Sequence, residues 1–311
     1  MSKPVSKVKH LLVIGGMGFI GCWVVRGGIN RGYRVSVLTR NLPEHITKIE
    51  GVNYLRADVS DRNSILRVIQ PHQITHVINL SGDINHVQYS NGGREVIDAH
   101  FNGVLNLVQS LDWEHLECFI QIGSSDEYGK APAPQHEAQT CTPISNYSFA
   151  KLAANQFLQM LHRTESFPVI MLRLFLVYGP GQGQQRFLPQ IILACINNNR
   201  FSTSYGEQIR DFCYVEDIVN GMFLALESKD CYGEIFNLAS GLPISIRSMI
   251  DRTINLTNGG LPDYGKVKYR LGENMALYAN VAKAANLLKW RSTTNLVEGL
   301  KKTVEYYRDD R

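Results

Sequence analysis

Leu11-Leu-Val-Ile-Gly-Gly-Met-Gly-Phe-Ile-Gly21 is the stretch whose reading decides the fold. Leu11 to Ile14 are four consecutive apolar residues and read as a buried strand, with Gly15, Gly16, Gly18 and Gly21 following at once. Trp23, Val24, Val25 and Ile29 then recur at roughly helical spacing. A strand therefore runs through a glycine turn straight into a helix. Two glycine registers are satisfied, Gly15-x-x-Gly18-x-x-Gly21 and Gly16-x-Gly18-x-x-Gly21. Such glycines permit a tight turn, close approach of a pyrophosphate to the backbone, and close packing of helix on strand. The unpaired N–H groups and positive dipole end of the helix complete a phosphate cradle. In this strand-turn-helix context the expected ligand is a dinucleotide, held by Gly15, Gly18, Phe19, Ile20 and Gly21.

The bulk numbers agree with an ordinary globular chain. With 311 residues there is room for one large or two modest domains and a substantial core. Hydrophobic residues make up 44% and charged residues 19%, so neither a disordered nor a fibrous class fits. The net charge of +4 is spread along the chain without a basic stripe, so no nucleic acid partner is expected. No apolar run reaches membrane-spanning length and no signal peptide is read at Met1–Lys9, so no membrane partner is expected either. Cys22, Cys118, Cys141, Cys195, Cys213 and Cys231 show no C-x-x-C spacing and read as reduced thiols, so the expected location is cytoplasmic.

Strands and helices alternate beyond the glycine turn. Tyr33 to Leu38 is a second strand, and about twenty residues past the glycines stands Arg40. An acid there would hold a ribose 2′-hydroxyl, whereas a guanidinium pairs with a 2′-phosphate, so NADP(H) is expected over NAD(H). Val52 to Ala57 is a third strand, followed by Asp58 and Val59 and a helix beginning near Asp61. Ile74 to Leu80 is a fourth strand ending in Ser81-Gly82-Asp83, at the carboxyl edge where ligands sit. A long helix is predicted over Arg94 to Leu111, with Ile97, Phe101, Val104, Leu105, Val108 and Leu111 on its core face. Cys118 to Ile122 is the next strand, Lys130 to Pro143 is a loop, and a helix from near Asn146 is expected to bury Phe149, Leu152, Ala153, Phe157 and Met160. The alternation predicts an α/β fold, a Rossmann-type doubly wound parallel sheet. After Phe175 the elements shorten, so residues 1–175 form the expected dinucleotide domain, 212–240 return to it, and 176–311 form a smaller α/β substrate domain.

Tyr147 and Lys151 are four residues apart on that last helix and share a face, expected to point away from the apolar stripe. A tyrosine with an ordinary pKa of about 10 is a poor base at neutral pH, but a neighbouring ammonium favours its phenolate. It could then exchange a proton with a sugar hydroxyl or carbonyl, with Ser124 at the preceding strand end bonding the same oxygen.

At these residues the chain resembles the extended short-chain dehydrogenase/reductase family, in its nucleotide-sugar epimerase, dehydratase and reductase branch. The resemblance spans nearly the whole chain. It rests on Gly15 to Gly21, Ala57-Asp58-Val59, Ser124-Ser-Asp-Glu-Tyr-Gly129, Tyr147-Ser-Phe-Ala-Lys151, Leu172-Arg-Leu-Phe175 with Tyr178-Gly-Pro180, and Arg210-Asp-Phe-Cys-Tyr-Val215 with Asp217. It implies proton transfer by Ser124, Tyr147 and Lys151, with Lys151 also on the nicotinamide ribose and Leu80, Ser81, Gly82 and His100 near the cofactor. It implies a nucleoside-diphosphate sugar held by Arg210 and Arg270 on the phosphate side and by the loop residues Asp83, Ser125 and Arg186. It further implies a homodimer formed as a four-helix bundle from the helices at Arg94 to Leu111 and Asn146 to Leu161. Three positions depart from the family pattern: His100 replaces an asparagine, Leu176 an asparagine that contacts phosphate, and Ser81-Gly82 a pair of alanines.

Dehydratases of this family carry a threonine, an acid and a glutamate before Tyr-Gly. Here Ser124, Ser125 and Asp126 take those places, and the altered acids look more like 4-keto-6-deoxy-sugar reductases. The expected reaction is thus NADPH-dependent reduction at C4 of a nucleoside-diphosphate 4-keto-6-deoxyhexose, with Asp126 as a further catalytic acid. The alternative is a 4-epimerase or 4,6-dehydratase that retains its NAD(P).

Overall fold

The computed structural model describes residues 9–42, 48–82, 87–269 and 272–309. Packing divides them between two units, one formed by Met1–Gly123, Ser145–Leu172 and Met222–Ile235, the other by Ser124–Ile144, Arg173–Gly221 and Phe236–Arg311.

The larger sheet has seven strands. Its order is β3 (Val52–Arg56), β2 (Arg34–Thr39), β1 (His10–Ile14), β4 (His76–Asn79), β5 (Cys118–Ser124), β6 (Val169–Leu174) and the strand Ile235–Leu238. The pairs from β3 through β5 are parallel. β1 is buried along its whole length, as expected of an apolar strand covered on both faces. The strand order reverses between β1 and β4, and in such sheets the carboxyl edge at the reversal opens a crevice. Gly15 follows β1 there and Leu80-Ser81-Gly82 follows β4. The core joins Leu12, Ile14 and Leu38 of the sheet to Val104, Leu107, Leu158 and Leu161 of the helices.

The helix expected over Arg94 to Leu111 is not uniform. It runs as α3 (Gly93–Ile97), a π-helical turn at Asp98–Asn102, and α4 (Gly103–Ser110), following α1 (Phe19–Asn30) and α2 (Arg62–Leu66) in the chain. The turn rotates the buried positions: Val96, His100, Gly103 and Leu107 face inward, whereas Ile97 and Leu105 are only half-buried. A π turn inside a helix commonly marks a functional site.

Helix α5 (Asn146–Glu165) starts on a capping box between Ser145 and Ser148 and ends at Ser166, φ 58°. Its buried face corrects the expectation. Tyr147, Ala150, Lys151, Ala154, Leu158 and Leu161 are buried, whereas Phe149 is 51% and Met160 38% exposed. The physical reason is that Ala150 and Ala154 let this face lie close to the sheet, and the sheet supplies a polar partner for Lys151. The larger residues of the other stripe are left outside.

The second unit contains a four-stranded sheet around Ile209–Tyr214, which pairs parallel with Leu176–Tyr178 and Ala276–Leu277 and antiparallel with Pro243–Ser245. Helices Phe187–Ile196, Ile246–Thr257 and Leu296–Asp309 meet in a core of Leu188, Ile192, Met249, Ile250, Leu300 and Val304. Residues 124–144 cluster here rather than with the first unit, because Tyr128 packs with Phe175, Ala239, Leu277 and Ala279. Residues 222–235, a narrower stretch than 212–240, cluster with the first unit. No helix of the described residues is long and apolar enough to cross a membrane.

Candidate active site

The glycine turn joins β1 to α1 as its sequence predicts. Gly18 stands as N-cap of α1, its N–H bonded to the Gly15 carbonyl at 3.0 Å, and its surface is exposed. A Cβ at Gly21 would lie 2.3 Å from that same carbonyl oxygen, so only glycine lets α1 start this close to β1. Phe19 and Ile20 are half-buried in the first helical turn.

Beside the turn lies a cleft of about 370 Å³, lined by Gly15, Thr39, Arg40, Asn41, Asp58, Val59, Ser81, Gly82 and Ala99. Six sequence-predicted residues, Gly15, Arg40, Asp58, Val59, Ser81 and Gly82, thus meet in one place. Its volume is that of a small-ligand site. Asp58 is ready to accept hydrogen bonds. Burial raises its pKa, but bonds from the Ser60 hydroxyl and N–H, with the Arg40 charge, outweigh this and hold the carboxyl below its usual value. The Ser81 hydroxyl donates to Asn79 Oδ1 at 2.6 Å, and the Leu80 N–H continues the sheet by bonding the Ile14 carbonyl. A glycine turn at a helix N-terminus, next to a cleft bearing a carboxylate and a guanidinium, could hold a dinucleotide.

At Gly82 the cleft meets a second cluster. Gly82 has φ +129°, and a Cβ there would lie 1.8 Å from His100 Cε1. His100, carried inward by the π turn and 3% exposed, sets its ring edge-on to that of Tyr147, with centroids 5.1 Å apart and planes at 81°. Lys151 Nζ donates to the Ile122 carbonyl at 2.8 Å and lies 6.0 Å from the Tyr147 ring centroid. Two departures from the family pattern are therefore one: the imidazole at 100 fills the space that a side chain at 82 would need.

Ser124 ends β5 and caps the short helix Ser125–Tyr128. Its oxygen accepts from the Asp126 N–H at 3.2 Å, while its own N–H donates to Glu127 Oε1 at 2.8 Å. Ser125 is buried and Asp126 half-buried beside it. Glu127 is fully buried and ion-paired with Arg173 at 2.8 Å. A sequence signal for this pair existed: Arg173 is a lone charge within the apolar strand β6 and required a buried partner.

Arg210 is buried and forms an ion pair with Glu273, whose side chain is 18% exposed. Arg186 is exposed as N-cap of Phe187–Ile196. Asp83 and Arg270 lie outside the described residues. Among the described residues no group of histidine, cysteine or acidic side chains could hold a metal ion.

Residues 11–239, from the glycine cradle through Tyr147 and Lys151, match the NAD dependent epimerase/dehydratase family. The chain belongs to that family. Among its relatives is a dTDP-D-glucose 4,6-dehydratase of Bos taurus, 26% identical, the alignment covering 100% of this chain and 92% of that protein. A UDP-glucuronate 4-epimerase of Thermodesulfobacterium geofontis is 25% identical, with 97% of each chain covered. A solved structure of MoeE5 in complex with UDP-glucuronic acid and NAD superposes with a TM-score of 0.85 at 25% identity, covering 97% of this chain and 100% of that one.

Proposed function

We propose that this protein oxidises and re-reduces C4 of a nucleoside-diphosphate hexose on a retained nicotinamide dinucleotide, as a 4-epimerase or 4,6-dehydratase. The observation that carries the reading is the buried Tyr147–Lys151 pair, whose tyrosine ring stands edge-on to His100, itself packed against Gly82 on the cleft wall. The relatives support internal oxidation and reduction over the ketosugar reduction expected from the sequence.

When bound, the nicotinamide supplies a hydride acceptor and donor at the sugar carbon. Gly15, Gly18, Phe19, Ile20 and Gly21 would hold the pyrophosphate, with Asp58, Val59 and Arg40 along the adenosine side and Leu80, Ser81, Gly82 and His100 toward the nicotinamide. The Tyr147 phenolate oxygen takes the proton of the sugar hydroxyl as the ketone forms, and the resulting phenol returns it afterwards. The Lys151 ammonium, anchored on the Ile122 carbonyl, favours the phenolate during that exchange and also takes the ribose hydroxyls. Ser124 donates to the reacting oxygen. Arg210 pairs with the substrate diphosphate by exchanging one anion, Glu273, for another. Ser125 and Arg186 would add further sugar-nucleotide contacts.

Between the two reactions, the acids support epimerisation. Dehydration needs a placed base and a placed acid, and Glu127 is withheld by Arg173 and the Ser124 N–H, leaving Asp126 alone on the turn. One observation favours the other reading, an NADPH-consuming reductase: Arg40 on the cleft wall suits a 2′-phosphate. The exposed Phe149 and Met160 stripe on α5 supports a homodimer through a four-helix bundle.

The test is turnover without added cofactor. Freshly purified protein is denatured to identify any released dinucleotide and is incubated with UDP- and dTDP-hexoses, with product read by chromatography. Retained NAD(P) and a C4 epimer support the proposal. Consumption of added NADPH with a 4-keto-6-deoxy sugar nucleotide, and no turnover of the parent sugars, would replace it with the reductase.

A further inference from the structure

We infer that Glu127 is a positioning residue for the serine of the active site, acting through the Ser124 backbone and held in place by Arg173. This rests on the reading of Ser124 as the hydroxyl that meets the substrate oxygen. The Glu127 carboxylate is 0% exposed and splits its two oxygens between two tasks. Oε1 accepts the Ser124 N–H at 2.8 Å, and Oε2 accepts Arg173 Nε at 2.8 Å. Arg173 is itself fixed, with Nη2 bonded to Cys141 Sγ at 3.2 Å and its guanidinium carbon 4.6 Å from the Tyr128 ring centroid. The Tyr128 hydroxyl donates to Asn237 Oδ1 at 2.8 Å.

The consequence falls on Ser124. Its oxygen accepts the Asp126 N–H at 3.2 Å, so the hydroxyl hydrogen is left to donate outward. Rotation about the Ser124 backbone would break both bonds of this reciprocal cap, and the buried ion pair opposes it. A buried charge pair gives little net stability over an apolar pair of similar volume. Its retention here is explained by direction: an apolar side chain at 127 could fill the space but could not hold the Ser124 N–H. Glu127 touches no reacting atom in this account. It sets the angle at which Ser124 meets one.

The variant Glu127→Val/Arg173→Leu removes both charges together, so neither partner is left buried alone. We expect it to fold, to bind the dinucleotide with unchanged affinity by fluorescence titration, and to keep its KM. Its kcat should fall by about 10- to 100-fold, the scale of a misplaced catalytic group. Adding Ser124→Ala to that variant should cost less than Ser124→Ala costs the parent protein, because both changes act on one group. Unchanged kcat, or a full additive loss from Ser124→Ala, would overturn the inference. Hydrogen exchange at the Ser124 amide gives a readout that needs no substrate. Slow exchange in the parent and fast exchange in the double variant support the hold on Ser124, even if no sugar nucleotide is turned over and the functional reading fails. Equal protection in both proteins overturns the hold itself.

Discussion

Replacing Gly82 by alanine tests whether the residues at 82 and 100 are one packing unit. The new Cβ would stand 1.8 Å from His100 Cε1, 2.1 Å from Nδ1 and 2.6 Å from Nε2, far inside van der Waals contact. His100 is 3% exposed and its ring stands edge-on to Tyr147, so moving it disturbs the residue proposed to carry the proton. Overpacking of this kind costs about 1–3 kcal/mol. The φ of +129° at Gly82 adds strain of about 1–3 kcal/mol for any side chain. Together these predict a loss of about 2–6 kcal/mol, a fall in thermal midpoint on the order of 5–15 °C for a chain of this size. His100→Ala alone empties a buried ring and should cost about 2–4 kcal/mol. The decisive protein is Gly82→Ala/His100→Ala, in which the added methyl enters the space vacated by the imidazole. Thermal or urea denaturation of the four proteins gives the coupling, expected to favour the double variant by at least about 1 kcal/mol over the sum of the singles. An alanine at 82 as stable as the parent, or strict additivity, would refute the reasoning.

Three further outcomes follow from the same geometry. Tyr147→Phe keeps the ring against His100 but removes the proton carrier, so kcat should fall by about 10²–10⁴-fold with dinucleotide affinity little changed, as read by steady-state kinetics and ligand titration. Acid should loosen the sheet through His76, whose pKa is pushed down to about 4 by burial, Glu117 acting the other way and Lys9 and Lys229 reinforcing the fall; His10 is lowered by burial and Arg34, with a backbone bond to Gln73 opposing. Both histidines bind protons less readily in the folded chain than in the unfolded one, which gains them below about pH 6.5, so stability should be steady above that value and fall as pH drops toward 4, by up to about 1.4 kcal/mol per unit for His76 with His10 adding in the same direction. Denaturation midpoints across that range check this, and the slope should flatten in His76→Gln. Phe149→Glu together with Met160→Glu places charge on the exposed α5 stripe and should convert the expected dimer to monomer by light scattering; an unchanged mass would remove this stripe from the interface.

Local sequence was enough for the frame. Short apolar or alternating runs, punctuated by glycine and interleaved with helical spacing, predict β1 to β5, and Leu11 to Ile14 is apolar because a parallel strand covered on both faces is buried throughout. Gly15 to Gly21 was legible for the same reason: a backbone that must approach another backbone closely excludes side chains, and that exclusion is written directly as glycine. The i, i+4 spacing of Tyr147 and Lys151 likewise places them on one helical face without reference to anything else.

What the sequence could not determine was which face that is. Phe149 and Met160 outrank Ala150 and Ala154 in hydrophobicity, yet the alanine side is buried, because the closeness of the sheet and the carbonyl of Ile122 decide the choice. The same holds for Glu127 and Arg173, separated by 46 residues, and for Arg210 and Glu273, separated by 63. The cost of burying a charge is met only by a partner brought from elsewhere in the chain. Gly82 and His100 show it most plainly: the sequence marks both as departures from the family pattern, but only the π turn that carries the imidazole inward shows that one fills the space the other leaves. Sequence alone thus determined most of the sheet, the strand-turn-helix opening and the candidate site residues. Tertiary structure decided how those side chains are oriented and neutralised, because both depend on contacts between residues distant in the chain.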